Sequence, residues 1–374
     1  MMENDPISVL IAPLDWGLGH ATRCIPIIYE LIHQKARVVV AAGQAQIILL
    51  KSEFPDLEFL ETESHNIRYS EGIFLKWALF FRIPSMLKQI KHENDWLDNI
   101  LQHRHIDVVI SDNRYGLYHK ACYSVFITHQ LQIQSGFGST VLGRYIDRRI
   151  LKWHYAFIEK FSSCWIPDLA GELSIAGALS HPARLPSIPV KYIGILSRFF
   201  KTRENIQKNS LLILLSGPEP QRTIFENILL NQLANSSLHA VVVRGLPGSV
   251  HPTPSARTGL QIWNHLSSNA LGELVNNSEY IIARSGYSTI MDLLAVKKNA
   301  ILIPTPGQTE QEYLGHFLHE KKWMYTIAQK DFNLHAAMNA FKNAGLVLPE
   351  IPHTNLQGVI KEFLDKLPQR KENV

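Results

Sequence analysis

The chain of 374 residues has only three cysteines, Cys24, Cys122 and Cys164, widely spaced and with no C-x-x-C pair. That excludes a disulfide framework and a zinc knuckle and points to a reducing compartment. No uninterrupted apolar run approaches the roughly 18 to 20 residues needed to span a bilayer, and "MMENDPISVL" has neither region of a secretory leader. A cytoplasmic protein, peripheral at most on the inner face of a membrane, is expected. There is no D-x-D triplet, and "HRH" at 103–105 offers two histidines without a carboxylate or thiolate partner, so no metal site and no cofactor are expected. Charge is scarce as well, at 19% of residues and a net +4, and the basic residues are scattered. A nucleic-acid binder concentrates them in a stripe. The mild excess suits an anionic small ligand or an anionic membrane face. Disordered tracts and solenoid repeats are also missing.

What the chain does have is 46% hydrophobic residues over a length exceeding one ordinary core, which suggests two domains. The runs "SVLIA" (8–12), "ARVVVAA" (36–42), "IDVVISD" (106–112) and "SVFITH" (124–129) read as strands, with a helical "ATRCIPIIYELIHQ" between the first two. Continuous rather than alternating hydrophobicity marks strands of a parallel sheet covered on both faces. The pattern returns in "SLLILLSG" (210–217), "HAVVVRG" (239–245), "LQIWNHL" (260–266), "YIIARSG" (280–286) and "NAILIPTP" (299–306). The fold class expected is α/β, two doubly wound Rossmann-like domains facing across a cleft. The proline-bearing, then charged, segment 181–210 reads as the linker. This divides the chain into residues 1–199, which would bind the acceptor, residues 200–350, which would bind the nucleotide ligand, and a C-terminal helical segment 351–374 that could pack back on the first domain.

Ligands of such folds sit at the carboxyl ends of the strands, so strand-to-helix loops carry the candidates. In "LDWGLGHATR", Gly17 and Gly19 let the backbone approach a ligand, the following helix offers free N–H groups, and His20 and Arg23 would face the cleft. The spacing is not G-x-G-x-x-G, and no acidic residue ends the second strand, which argues against a dinucleotide site. Arg23 receives no role. In "IIARSGYSTIMDLL", Arg284, Ser285 and Gly286 stand at a helix start able to cradle a phosphate, and Asp292 is two turns in, where a carboxylate could take a ribose diol. Gln311 and Glu312 open another helix with an amide and a carboxylate suited to sugar hydroxyls. Ser216 and Gly217 form a further such loop, and Asp112, Asn113, Arg114, His129 and Gln130 end strands of the first domain, where an acceptor could bind. Each also has a plain reading as a turn, a cap or a solvated helix start. The stretch 72–91, aromatic with interspersed cations, reads either as a membrane-interface helix or as a buried one.

Residues 283–315, "ARSGYSTIMDLLAVKKNAILIPTPGQTEQEYLG", resemble the donor-site signature of GT-B glycosyltransferases of family 28. That family includes the peptidoglycan N-acetylglucosaminyltransferases and the monogalactosyldiacylglycerol synthases. "DWGLGH" resembles the family's N-terminal glycine loop, closer to the D-x-G-x-G-H of the galactolipid enzymes. The resemblance implies that Ser285 and Gly286 lie at the diphosphate, and that Asp292 replaces the ribose-binding glutamate. It implies that Gln311 matches the first sugar-contacting glutamine while Glu312 replaces the second, and that His20 acts near the acceptor. His129 falls where the peptidoglycan enzymes carry a glutamate. These departures leave the donor sugar and the acceptor open.

The expected activity is an inverting, metal-independent transfer of a hexose or N-acetylhexosamine from a nucleotide sugar, UDP-linked, to a hydroxyl of a lipid-linked or glycan acceptor. His20 is the first candidate base and His129 the second. A nucleotide-sugar epimerase and a non-catalytic nucleotide-sugar-binding protein are the alternatives. They differ in whether the donor is consumed without an acceptor, or not at all.

Overall fold

The computed structural model describes residues 5–62, 74–133, 140–202, 205–234, 236–248, 252–255, 257–352 and 355–367. The first half forms strands β1 (Ser8–Pro13), β2 (Arg37–Ala42), β3 (Glu58–Glu61), β4 (Val108–Asp112), β5 (Tyr123–Ile127), β6 (Ser163–Ile166) and β7 (Val190–Tyr192). They lie in the order β3-β2-β1-β4-β5-β6-β7, and every pairing is parallel. Helices α1 (Gly19–His33), α2 (Gln44–Glu53), α3 (Phe74–His103) and α4 (Val141–Ile158) connect them.

The second half repeats the plan. Its strands are β8 (Gln207–Leu214), β9 (His239–Val243), β10 (Pro252–Thr253), β11 (Leu260–Trp263), β12 (Ser278–Ala283), β13 (Ile301–Leu302) and β14 (Tyr325–Thr326). The order is β10-β11-β9-β8-β12-β13-β14, parallel except for β10 against β11. The helices are α5 (Gln221–Leu233), α6 (Ser268–Asn277), α7 (Tyr287–Ala295), α8 (Thr309–Glu320), α9 (Leu334–Asn343) and α10 (Leu356–Asp365). In both sheets the chain reverses its direction of winding at one point, between β1 and β4 and between β8 and β12. The loops leaving those strands diverge there and open a crevice, the place where α/β sheets take ligands.

The linker is shorter than the sequence suggests. β7 and the start of β8 fall inside 181–210, because the edge strand of the first sheet and the first residues of a central strand of the second are built from this polar stretch. Residues 193–206 make the crossing. One apolar cluster contains Val9, Ile25 and Ile28 of the first domain together with Ile290, Met291 and Leu294 of α7. The domains thus share a core where α1 meets α7. Helix α10 also lies on α1, with the Phe363 ring against Tyr123 and Trp165 at centroid distances of 5.5 and 4.9 Å.

Of the stretch 72–91, residues 74–91 lie in α3; residues 72 and 73, and the side chains of 74–83, lie outside the described residues. Among the described residues no helix is long and apolar enough to cross a membrane.

Candidate functional site

The register of the first sheet places Asp112 beside Pro13 and Ile127, at the reversal point and beneath the first turns of α1. The spacing of His20 and Arg23, three residues apart on α1, puts both over that carboxylate. Arg23 donates from Nε to Asp112 Oδ2 at 2.6 Å and from Nη2 to Oδ1, and His20 Nδ1 lies 3.0 Å from Oδ1. Asp112 is completely buried. Burial alone would raise its carboxyl, but the Arg23 guanidinium and His20 outweigh it and hold the group well below the usual carboxylate range. Arg23, itself buried, is held by Asp112 as a cation against the desolvation that opposes it. His20 keeps 15% of its side chain exposed, enough to reach a bound molecule.

The network continues into the second domain. Arg23 Nη1 is 3.1 Å from His129 Nδ1, and His129 Nε2 is 2.9 Å from Glu310 Oε1 on α8. Gln130 Nε2 donates to the other oxygen of Glu310. The His129 ring stacks on Tyr287 with centroids 3.9 Å apart and planes at 3°, and Tyr287 donates its hydroxyl to the Pro167 carbonyl at 2.6 Å. Burial lowers the His129 imidazole against the pull of Glu310. Ser288 Oγ closes the arrangement by donating to the Gly19 carbonyl at 2.8 Å, which sets the residue before His20 against the first turn of α7.

That turn is open. Helices α4, α6, α9 and α10 are capped by Thr140, Ser267, Asn333 and Asn355, each accepting from a first-turn N–H. Helices α1 and α7, which leave the sheet ends at the crevice, have no side-chain cap. Their amides and dipoles are left for an anion. At the Gly286 cap of α7 a Cβ would meet nothing within 4 Å, and at Gly17, with φ +64°, the same holds. Gly217, with φ +99°, lies beside Thr305, whose buried hydroxyl has no protein partner.

Several sequence expectations need correction. Asp112 and Arg114 do not face an acceptor. Asp112 lies under Arg23, while buried Arg114 donates to Glu93 and Thr62 at 3.0 Å and ties α3 to the sheet. Asn113 adopts φ +61° and donates its backbone N–H to Ile127, closing the strand end. Gln130 is taken up by Glu310. His129, expected as a second candidate base, has both its nitrogens engaged within the protein. Arg284 is turned into the protein. Its guanidinium, wholly buried over Phe225, donates to the carbonyls of Gln221, Ile303 and Pro304, and burial lowers its pKa to about 10.

Ser285 turns its hydroxyl inward to the Gln311 carbonyl, which leaves only backbone for a ligand. Gln311 Oε1 accepts from Thr305 N and Glu312 Oε1 from Gly307 N, both at 2.9 Å, so these side chains order the loop they were expected to project from. Asp292 is turned to the linker, accepting from Ser197 Oγ at 2.8 Å and lying 3.5 Å from Arg198 Nε. Burial raises its carboxyl in spite of that arginine. Ser216 is half-buried and Gly217 exposed at the crevice. Among the described residues no group of three or more His, Cys, Asp or Glu side chains is placed to hold a metal.

The residues missed were Arg23, Tyr287, Ser288 and Glu310. The three-residue spacing of His20 and Arg23 was a signal for one of them; the others act across domains and left none.

Two Rossmann-like sheets whose ligand ends meet at a buried His, Asp and Arg cluster, opposite an uncapped helix start, have the architecture of GT-B glycosyltransferases. Residues 240–357 match the glycosyltransferase family 28 C-terminal domain. The chain is 24% identical over 295 residues, 74% of each protein, to a UDP-N-acetylglucosamine–N-acetylmuramyl-(pentapeptide) pyrophosphoryl-undecaprenol N-acetylglucosamine transferase of Lawsonia intracellularis. It shares its fold with the crystal structure of Acinetobacter baumannii MurG, at TM-score 0.52 and 13% identity over 96% of this chain and 100% of that one. It also shares it with the glycosyltransferase SnogD of Streptomyces nogalater, at 0.57 and 13% over 97% and 96%. The chain has the GT-B fold, and its residues 240–357 are a C-terminal domain of the glycosyltransferase family 28 type.

Proposed function

We propose that the protein transfers a hexose or N-acetylhexosamine from a nucleotide sugar, UDP-linked, to a hydroxyl of a lipid-linked or glycan acceptor, with inversion at the anomeric carbon. The observation that carries this reading is the His20–Asp112 pair set directly against the uncapped first turn of α7. An ionised carboxylate only accepts, so Asp112 holds the His20 proton on Nδ1 and leaves the Nε2 lone pair for the acceptor hydroxyl. As that oxygen attacks the anomeric carbon, its proton passes to Nε2 and the glycosidic bond to the diphosphate breaks. The charge developing on the diphosphate falls to the free amides of α7 and to the glycine loops at Gly17 and Gly217. No step is assigned to a metal or cofactor.

The name of the Lawsonia relative supports a UDP-sugar and a lipid-linked acceptor. A thermal-shift series with UDP-, GDP- and dTDP-sugars tests the donor, since a ligand of the native state raises its midpoint. UDP-sugars should stabilise the chain, and no response to any of the three would remove the donor reading. His20→Ala should lower turnover by about 10²- to 10⁴-fold. Consumption of the donor without any acceptor would instead favour an epimerase.

A further inference from the structure

The contacts that join the two domains at the site form a chain whose hydrogen bonds have a direction fixed by chemistry. Asp112, ionised, can only accept, so Arg23 donates to it through Nε and Nη2. Arg23 can only donate, so its Nη1 gives a proton to His129 Nδ1, 3.1 Å away, which therefore carries a lone pair. The proton of the neutral ring is then on Nε2 and is donated to Glu310 Oε1 at 2.9 Å. The stack on Tyr287 prevents the ring from rotating out of this line. The titratable groups that face the ring are Arg23 and His20 on α1, Tyr287 on α7 and Glu310 on α8, with Asp112 on β4 and Cys24 on α1 behind Arg23.

His20 Nδ1 stands between two of these groups, 3.0 Å from Asp112 Oδ1 and 2.9 Å from Arg23 Nη2. Facing the carboxylate, it keeps its proton and leaves Nε2 basic. Facing the guanidinium, it must accept, and the proton moves to Nε2, where it blocks proton uptake. Which neighbour prevails depends on where Arg23 is held, and its far nitrogen is held by His129.

We propose that Glu310 is a positioning residue of the transferase. From the C-terminal domain it fixes the His129 tautomer, which draws Arg23 to its place and leaves His20 in the tautomer that can act as a base. The base is therefore set only when the first turn of α8, which carries Glu310, Gln311 and Glu312, lies against the first domain. This rests on the reading of His20 as the base, and it adds a means by which a helix of the donor-side domain controls it.

Long-range ¹H–¹⁵N spectra of the full chain labelled at histidine report each ring tautomer, and His20→Ala identifies the His20 signals. In the unaltered protein the His20 proton should be on Nδ1. In Glu310→Ala it should move to Nε2, and in Glu310→Gln, whose Oε1 still accepts from His129, it should stay on Nδ1. His129→Phe keeps the stack on Tyr287 but removes both nitrogens. It should reproduce the Glu310→Ala spectrum, and it decides the matter if Glu310→Ala does not fold. An unchanged His20 tautomer in Glu310→Ala or His129→Phe overturns the proposal. Full activity of His20→Ala would overturn the base reading instead, whatever the spectra show.

Discussion

Arg23 does three things with one guanidinium: it neutralises Asp112, crowds His20 and reaches His129. The forked geometry of arginine makes that possible, and lysine, with a single point of charge, cannot reproduce it. Removal of one partner of a buried ion pair leaves the other charge uncompensated. Arg23→Ala should therefore cost about 3 to 5 kcal/mol of stability, and Arg23→Lys should recover only part of it, measured by urea unfolding. A site that tolerates both would show that Asp112 is compensated from elsewhere.

Asp112 also ties stability to acid. Its carboxyl is held below the ordinary aspartate value of 3.8, so below that value the unfolded chain takes up a proton that the folded one refuses. The stability it contributes is complete above pH 3.8 and falls away below it. His154 acts at milder acidity. It is buried between the Tyr115 hydroxyl and the Gln130 carbonyl, and burial lowers its pKa from 6.5 to about 4. Here too the unfolded chain binds the proton first, so stability should decline as pH falls from 6.5 to about 4, by about 3 kcal/mol in all. Thermal midpoints across that range check this, and His154→Gln should flatten the profile.

At the crevice α1 and α7 start without a side-chain acceptor, and so give up stability that α4, α9 and α10 keep. Gly286 tests the trade. Its backbone, φ −73° and ψ 138°, suits any residue, and a Cβ there has open space. Gly286→Asp should supply the missing cap, leaving stability unchanged or raising it by a few tenths of a kcal/mol. The same carboxylate would occupy the amides and repel a diphosphate, so UDP binding should weaken about tenfold or more, equivalent to about 1.4 kcal/mol. Calorimetry on the two proteins reads both effects. Equal UDP affinity would mean that the anion site is elsewhere.

The molecule is two sheets held as one body by shared packing. α1 and α7 meet in a single apolar core, α10 returns to lie on α1, and the site occupies the polar end of that joint. Ile360, at 0% exposure on α10, is remote from the His20, Arg23 and Asp112 cluster but part of this joint. Ile360→Ala should cost about 2 to 5 kcal/mol. Because it loosens the contact of α10 with the first domain, a second, lower unfolding transition should separate in calorimetry. A single transition at the normal temperature would show that α10 adds little to the joint.

The two doubly wound domains were readable from the chain because each central strand is a continuous apolar run, and only a sheet covered on both faces asks for that pattern. The edge strands β3, β7, β10 and β14 were not readable, being short and polar, with their ladders supplied by neighbours. The glycine loop, His20 and the start of α7 were also legible, because glycine before a helix has few other uses. What Asp112, Arg114, Arg284, Gln311 and Asp292 do was not. A sequence shows that a polar residue ends a strand or opens a helix, but the direction of its side chain depends on which charged group the folded chain brings opposite. Arg23 and Glu310, 287 positions apart in the chain, meet at His129 only because the two domains close, and that juxtaposition belongs to the tertiary structure alone.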